Sequence, residues 1–139
     1  MVVGVDGSSY ADKALEFAAQ EAEFRGANLR VVSAWGLPIG MHAGATPAVN
    51  PSLITAFEEL ACQNVDRAIS KARHLHPSLK VEGRVVMDQP VKAILDQSRD
   101  AILVVVGNRG LGGFASLLMG SVSQQTVHHA HCPVAVVRS

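Results

Sequence analysis

Two glycine clusters separated by nine residues most constrain what this chain can fold into. Gly107-Asn108-Arg109-Gly110 follows an apolar run, and Gly120-Ser121-Val122-Ser123 opens a segment that reads as a helix. The run before the first cluster, residues 101–106, has the length of a strand and no polar interruption, which is typical of a buried parallel strand. The pattern therefore predicts a strand, a glycine loop and a helix in succession.

This arrangement suits the binding of an anion. Glycines let bare backbone N–H groups approach a ligand closely, and a helix N-terminus adds a partial positive charge. Ser121 and Ser123 would add hydroxyl groups. The pattern predicts a phosphate-binding loop, and the alternative is a merely mobile loop, because Gly112 and Gly113 also lie within it.

Length and charge limit the class of protein. A chain of 139 residues predicts one domain over 1–139, and 48% hydrophobic residues exclude disorder. Twelve basic residues balance twelve acidic ones, which argues against a general nucleic-acid or anionic-membrane binder. No apolar run reaches transmembrane length, so we expect a cytoplasmic protein. Cys62 and Cys132 match no metal spacing and are expected to be small buried residues.

Apolar periodicity predicts alternating elements along the chain. The predicted strands are 2–5, 27–34, 81–87, 102–106 and 133–137, and the predicted helices are 9–25, 52–74, 91–98 and 120–130. Ser9 and Asp12 are predicted to form a capping box. The connection 36–51 is rich in glycine and proline, and either a lid or a disordered excursion is consistent with it.

This alternation predicts a doubly wound parallel sheet with helices on both faces. Ligands of such sheets bind at the carboxyl ends of the strands, where the strand order reverses. Asp6-Gly7-Ser8 follows the first strand, and the glycine loop follows the fourth. If those strands are neighbours, Asp6 faces the glycine loop across one crevice.

These motifs together resemble the universal stress protein family over nearly the whole chain. The resemblance is carried by the opening Val3-Gly4-Val5-Asp6-Gly7-Ser8, the run Val104-Val105-Val106-Gly107, and the ending His131-Cys132-Pro133-Val134. It rests most on Gly107-x2-Gly110-x9-Gly120-Ser121, which matches the ATP-binding signature of the family. Members that keep this signature are similar to ATP-binding proteins, so the resemblance implies the nucleotide-binding branch.

The resemblance implies a five-stranded sheet in the order 3-2-1-4-5 and an intracellular homodimer that pairs through its last strand. Val5 and Ala34 would make backbone contacts to adenine, and Asp6 would contact the ribose or adenine side. Asn108 and Arg109 fall at variable positions, and for Arg109 a phosphate contact and a solvated loop arginine both stay open. Six residues of the signature would contact the ribose and phosphates: Gly107, Gly110, Gly120, Ser121, Val122 and Ser123.

The resulting prediction is an ATP-binding regulatory module of stress response that binds Mg²⁺ with the nucleotide. For Asp6, a contact to Mg²⁺, a role as a weak base and hydrogen bonds within its own turn all stay open. The chain lacks the Gly-Lys-Ser/Thr of a Walker A loop, so at most weak ATP hydrolysis is expected. The alternatives are a slow ATPase, a nucleotide-free dimeric interaction protein, and a binder of AMP or a cyclic nucleotide. The sequence leaves open whether this domain is a whole protein or half of a tandem pair.

Overall fold

Strands and helices alternate along the part of the chain that the structure, a computed structural model, describes: residues 1–36, 50–112 and 118–138. Residues 37–49, which make up most of the predicted 36–51 connection, and residues 113–117 of the glycine loop lie outside that part. The elements are β1 (Val2–Gly4), α1 (Ser9–Phe24), β2 (Leu29–Trp35), α2 (Pro51–Leu75), β3 (Val81–Met87), α3 (Pro90–Ser98), β4 (Val104–Gly107), α4 (Ser121–His129) and β5 (Val134–Val137).

The strands form one parallel sheet in the order β3-β2-β1-β4-β5. Val3 pairs with Val31 of β2 on one side and with Val105 of β4 on the other. The predicted fold class is therefore confirmed, including the strand order. Because the order reverses between β1 and β4, the crevice at their carboxyl ends is the place where this fold binds ligands.

Alternating side chains of the central strands fill two cores. Val3 and Val105 pack with the helix pair α1 and α2 on one face of the sheet. Val2 and Val104 pack with Ile94 of α3 on the other face, where α4 also lies. Burial on both faces explains why β1 and β4 read as continuous apolar runs.

Helix α1 lies close to the sheet because its inner face is made of small residues. Ala14, Ala18 and Ala22 are fully buried, as the predicted stripe required. The helix is capped by Ser8 and not by Ser9, since the Ser8 hydroxyl accepts the Ala11 N–H at 3.1 Å. The predicted capping box of Ser9 and Asp12 was therefore wrong. The cap lies one residue earlier, and the residue three positions after Ser8 is Ala11, which has no polar side chain to complete a box.

Helix α2 packs through its second half only. Its buried residues begin at Ala61, whereas Leu60 is 49% exposed. Cys62 follows Ala61 by one position, about 100° further around the helix, and is exposed. The expectation that Cys62 is buried was wrong for this reason. No helix among the described residues combines the length and apolar character needed to cross a bilayer.

Candidate nucleotide-binding site

A cleft of about 530 Å³ opens at the carboxyl ends of β1 and β4. It lies at the reversal of strand order, where the topology predicts a ligand site. Residues from the β1 and β4 loops, from β2 and from the start of α4 share its walls. All nine residues predicted as site residues line it: Val5, Asp6, Ala34, Gly107, Gly110, Gly120, Ser121, Val122 and Ser123.

One wall of the cleft is apolar. Val32, Ala34, Ile94, Pro90 and Val106 line it, and none of these side chains carries a polar group. Ile94 reaches this wall because the adjacent strand position is Gly4: a Cβ there would lie 2.9 Å from the Ile94 Cδ1. An apolar slot of this kind suits a flat aromatic group such as a nucleobase.

Asp6 bridges the two loops that the topology brings together. Its Oδ1 accepts the Ser8 N–H at 2.9 Å, within the turn that Gly7 makes with φ +87°. Its Oδ2 accepts the Leu111 N–H at 3.0 Å, from the glycine loop on the other side of the crevice. A carboxylate has about four acceptor positions, so two remain for a ligand.

Helix α4 begins at the cleft without a side-chain cap. Its N-cap residue is Gly120, and the N–H of Gly120 donates to the Asn108 carbonyl at 2.7 Å. The first N–H groups of a helix have no partner inside it, and here they belong to Ser121, Val122 and Ser123. Three N–H donors at the positive end of a helix dipole form a site that favours an anion.

The hydroxyl of Ser123 serves the loop rather than the open cleft. Ser123 is 2% exposed, and its Oγ donates to the carbonyls of Gly120 at 2.9 Å and Asn108 at 3.1 Å. A hydroxyl has one proton, and both of these carbonyls compete for it. The backbone N–H is therefore what Ser123 offers a ligand, while the exposed Ser121 retains both its N–H and its hydroxyl as candidates.

Asn108 is the residue that sequence reasoning missed. Its N–H donates to Val137 of β5 at 2.8 Å, and its carbonyl accepts from Gly120 and Ser123. Its side-chain Nδ2 donates to the Leu118 carbonyl at 3.4 Å. Asn108 thus ties the two ends of the glycine loop to each other and to the edge strand. Asparagine in a loop after a strand is a general signal for such bracing, but it does not name the partners.

The three glycines of the signature are required for different reasons. A Cβ on Gly107 would lie 2.8 Å from the backbone carbon and oxygen of Tyr10. A Cβ on Gly110 would lie 2.5 Å from the Asp6 Oδ2. A Cβ on Gly120 would have its nearest neighbour at 3.5 Å, which is an ordinary contact. A Cβ at 107 would therefore force the backbone to shift, and a Cβ at 110 would displace the Asp6 carboxylate, whereas a Cβ at 120 would make only ordinary contacts with the glycine loop.

Arg109 also lines the cleft, at one of the variable positions of the signature. Its guanidinium carbon lies 5.9 Å from the centre of the Tyr10 ring, a cation–π contact. Tyr10 is held beside the glycine loop because Gly107 allows β4 to touch its backbone. The contact explains how a long loop side chain is kept at the cleft.

The rim of the cleft carries an ion pair. Asp88 precedes α3, and its carboxylate accepts hydrogen bonds from the Lys92 ammonium and from the Gln89 N–H. The Lys92 ammonium, followed by the Gln89 N–H, lowers the pKa of Asp88 below its ordinary value. The pair flanks Pro90, which lines the cleft.

No group of three metal-ligating side chains occurs among the described residues. Asp6 is the one carboxylate that lines the described cleft. Mg²⁺ in nucleotide sites is usually bound through one or two carboxylates together with phosphate oxygens. The residues present therefore fit a Mg²⁺ that arrives with a nucleotide, and they do not form a metal site by themselves.

The sequence matches the family model described as the universal stress protein family over residues 1–138. A universal stress protein of Mycobacterium tuberculosis (strain H37Rv) is 33% identical over 138 residues, which are 99% of this chain and 44% of the relative. The chain thus spans about half the length of the curated relatives it matches.

Two solved structures with related sequences contain nucleotides. One, a universal stress protein in complex with cAMP, has 25% identity and a TM-score of 0.73, covering 98% of this chain and 94% of that one. The other, from Archaeoglobus fulgidus in complex with dAMP, has 27% identity and a TM-score of 0.67, covering 97% and 94%. With the family model matched over almost every residue, this chain belongs to the universal stress protein family.

Proposed function

We propose that this chain is a regulatory module of stress response that binds ATP together with Mg²⁺ and acts as a dimer. The observation that carries the proposal is one cleft in which the uncapped start of α4 and the carboxylate of Asp6 are both exposed to a ligand. A helix N-terminus suits phosphate, and a carboxylate suits the hydroxyl groups of a ribose. A nucleotide carries both a phosphate and a ribose.

The adenine would occupy the apolar slot between Ala34, Ile94 and Val106. The Val5 N–H already donates to the Val32 carbonyl at 2.8 Å, within the sheet. Val5 therefore has its carbonyl oxygen to offer, and an acceptor there suits the exocyclic amino group of adenine. Ala34, at the end of β2, offers backbone groups on the opposite side.

The phosphates would lie in front of α4. The N–H groups of Ser121, Val122 and Ser123 supply donors, and these three residues line the cleft together with Gly120. When bound, Mg²⁺ would neutralise part of the phosphate charge, with Asp6 as the carboxylate on the protein side. Asp6 would then exchange its contact with Leu111 for contacts to the bound group.

AMP or a cyclic nucleotide is the second candidate ligand. The specific observation in its favour is that related structures at 25% and 27% identity contain cAMP and dAMP. Both ligands carry a single phosphate, which the three N–H groups at the start of α4 could satisfy alone. ATP and AMP therefore have to be compared directly.

We propose binding rather than turnover as the main activity. The described lining of the cleft contains no lysine, and both carboxylate oxygens of Asp6 accept backbone hydrogen bonds. A P-loop enzyme instead places a lysine on the terminal phosphates. The single domain over 1–139 and the cytoplasmic location stay predictions. Whether a second domain accompanies this one, as the greater length of the relatives allows, also stays open.

Thermal unfolding of nucleotide-stripped protein tests the ligand. A nucleotide at 100 times its dissociation constant should add about 2.7 kcal/mol of stability, which raises the melting temperature of a domain of this size by several degrees. Mg-ATP, Mg-ADP, AMP and cAMP are compared at millimolar concentration. The single Trp35 follows Ala34 at the end of β2, so its fluorescence gives a second readout. No shift with any of the four would overturn the proposed function.

The dimer is proposed to form through β5. This strand lies at the edge of the sheet, and all four of its residues are only partly buried. An edge strand presents unpaired N–H and carbonyl groups that a second chain can pair with. Sedimentation velocity at micromolar concentration should show a dimer, and a monomer at every concentration up to about 100 times higher would contradict this assignment.

A further inference from the structure

The lining of the cleft contains one charged side chain of each sign among the described residues. Among the described residues that line it, Asp6 and Arg109 are the two with charged side chains. Asp6 is directed at the Ser8 and Leu111 N–H groups. Arg109 is therefore the cationic side chain that this part of the cleft offers a phosphate, beside the roughly half charge of the α4 dipole.

Arg109 is also close to the end of the helix where phosphate would bind. Its Cα lies 3.5 Å from the position of a Cβ on Gly120, the N-cap residue of α4. Its guanidinium carbon lies 5.9 Å from the centre of the Tyr10 ring, and Tyr10 does not line the cleft. The Arg109 side chain thus begins beside the first N–H groups of α4 and ends at the ring of Tyr10.

The number of phosphates in the ligand decides what Arg109 contributes. A single phosphate can take the three N–H groups of Ser121, Val122 and Ser123. Each further phosphate adds charge and oxygens that lie beyond the helix end. A guanidinium binds such oxygens through two parallel hydrogen bonds, which a point charge or a backbone N–H does not provide.

We propose that Arg109 is the residue that makes this cleft prefer nucleoside polyphosphates to monophosphates, with Tyr10 as the residue that positions it. The inference rests on the proposed function, because it concerns the same cleft. It goes beyond the glycine signature, in which position 109 is variable. Tyr10 holds the guanidinium beside its ring, and the β- and γ-phosphates draw it into the cleft.

Titration of ATP, ADP and AMP into the stripped protein and into Arg109→Gln tests the inference. Glutamine keeps a polar side chain of intermediate length and removes the charge. ATP affinity should fall about tenfold or more, the loss expected for a charge-assisted hydrogen bond, while AMP affinity should change by less than about threefold. Arg109→Lys should be intermediate, because it keeps the charge and loses the paired hydrogen bonds.

Three further variants separate a phosphate contact from a structural effect. Arg99→Gln removes an exposed cation next to α3 that does not line the cleft, and it should leave all three affinities unchanged. Tyr10→Leu should reduce the ratio of ATP to AMP affinity, and Tyr10→Phe should restore it, because phenylalanine keeps the aromatic face.

The outcomes distinguish this inference from the function on which it rests. An equal loss of ATP and AMP affinity in Arg109→Gln, with Arg109→Lys behaving alike, would overturn the selective role while leaving nucleotide binding in place. A ratio of ATP to AMP affinity that stays unchanged in both Arg109→Gln and Arg109→Lys would also overturn the selective role and leave nucleotide binding in place. Failure of the unaltered protein to bind any of the three nucleotides would overturn both proposals.

Discussion

Gly107→Ala is expected to lower the free energy of unfolding by about 2–3 kcal/mol. The added Cβ would lie 2.8 Å from the backbone carbon and oxygen of Tyr10. Neither atom can rotate away, since both belong to the first turn of α1, which is anchored in the core through Ala11 and Ala14. Either β4 or α1 has to shift. Urea unfolding measures the loss, and an unchanged m-value shows that the same surface is exposed.

Gly112→Ala is the matched control in the same loop. Among the described residues, a Cβ at Gly112 has no neighbour within 4 Å, and the φ of Gly112 is not positive. The substitution should be neutral or stabilise the protein by up to about 1 kcal/mol, because alanine restricts the unfolded chain. Equal stability of Gly107→Ala and Gly112→Ala would show that the contact between β4 and α1 is not tight.

The fold was predictable because its signals are local. Each apolar run and each helical stripe is legible within ten to twenty residues, and strict alternation of strand and helix restricts the topology to a doubly wound sheet. The order of strands came from the resemblance to a known family, since periodicity alone does not order strands. Once β1 and β4 are neighbours, the approach of Asp6 to the glycine loop follows.

The errors have a common physical origin, which is that a pattern does not show where its partner surface ends. The stripe of α2 continues through Leu53 and Leu60, but the sheet meets the helix only from Ala61 onward. The general preference of free cysteines for buried positions also failed at Cys62, which is exposed. The start of α1 shows the same problem, because the sequence predicted a cap at Ser9 and the structure has it at Ser8.

Within the candidate site, the sequence predicted which residues come together at the cleft, but not the contacts that each of them makes inside the protein. All the glycines of the signature look alike in sequence, yet a Cβ on Gly107 would clash with the Tyr10 backbone, whereas a Cβ on Gly120 would make only ordinary contacts with the backbone of the glycine loop. Asn108 occupies a variable position and still holds both ends of the loop. Such roles depend on contacts between residues that are far apart in the sequence. Gly107 and Tyr10 are separated by more than ninety residues, so no local pattern reveals their contact.

Gly120 is therefore the position where function and folding can be separated. Its φ of −77° and ψ of 163° are those of an ordinary N-cap residue, and a side chain fits there. Aspartate is among the best N-cap residues, because its carboxylate accepts the N–H groups of the first turn. Gly120→Asp should consequently leave the free energy of unfolding unchanged or raise it by a few tenths of a kcal/mol, to about 1 kcal/mol at most.

The same substitution should reduce nucleotide affinity by about 100-fold or more. The new carboxylate would take the N–H groups of Val122 or Ser123 that the phosphate needs. It would also repel the phosphate: two unit charges 4 Å apart near a protein surface interact with about 4 kcal/mol. The stabilising shift produced by Mg-ATP in thermal unfolding should disappear, while the melting temperature without nucleotide does not fall.

Gln124→Glu is the matched control for charge. It adds a carboxylate to the same helix, one position beyond Ser123, at an exposed residue that does not line the cleft. Salt screening limits its effect on a bound phosphate, so ATP affinity should stay within a few fold of the unaltered protein. If Gly120→Asp bound ATP as well as Gln124→Glu does, the phosphate would not lie at the start of α4.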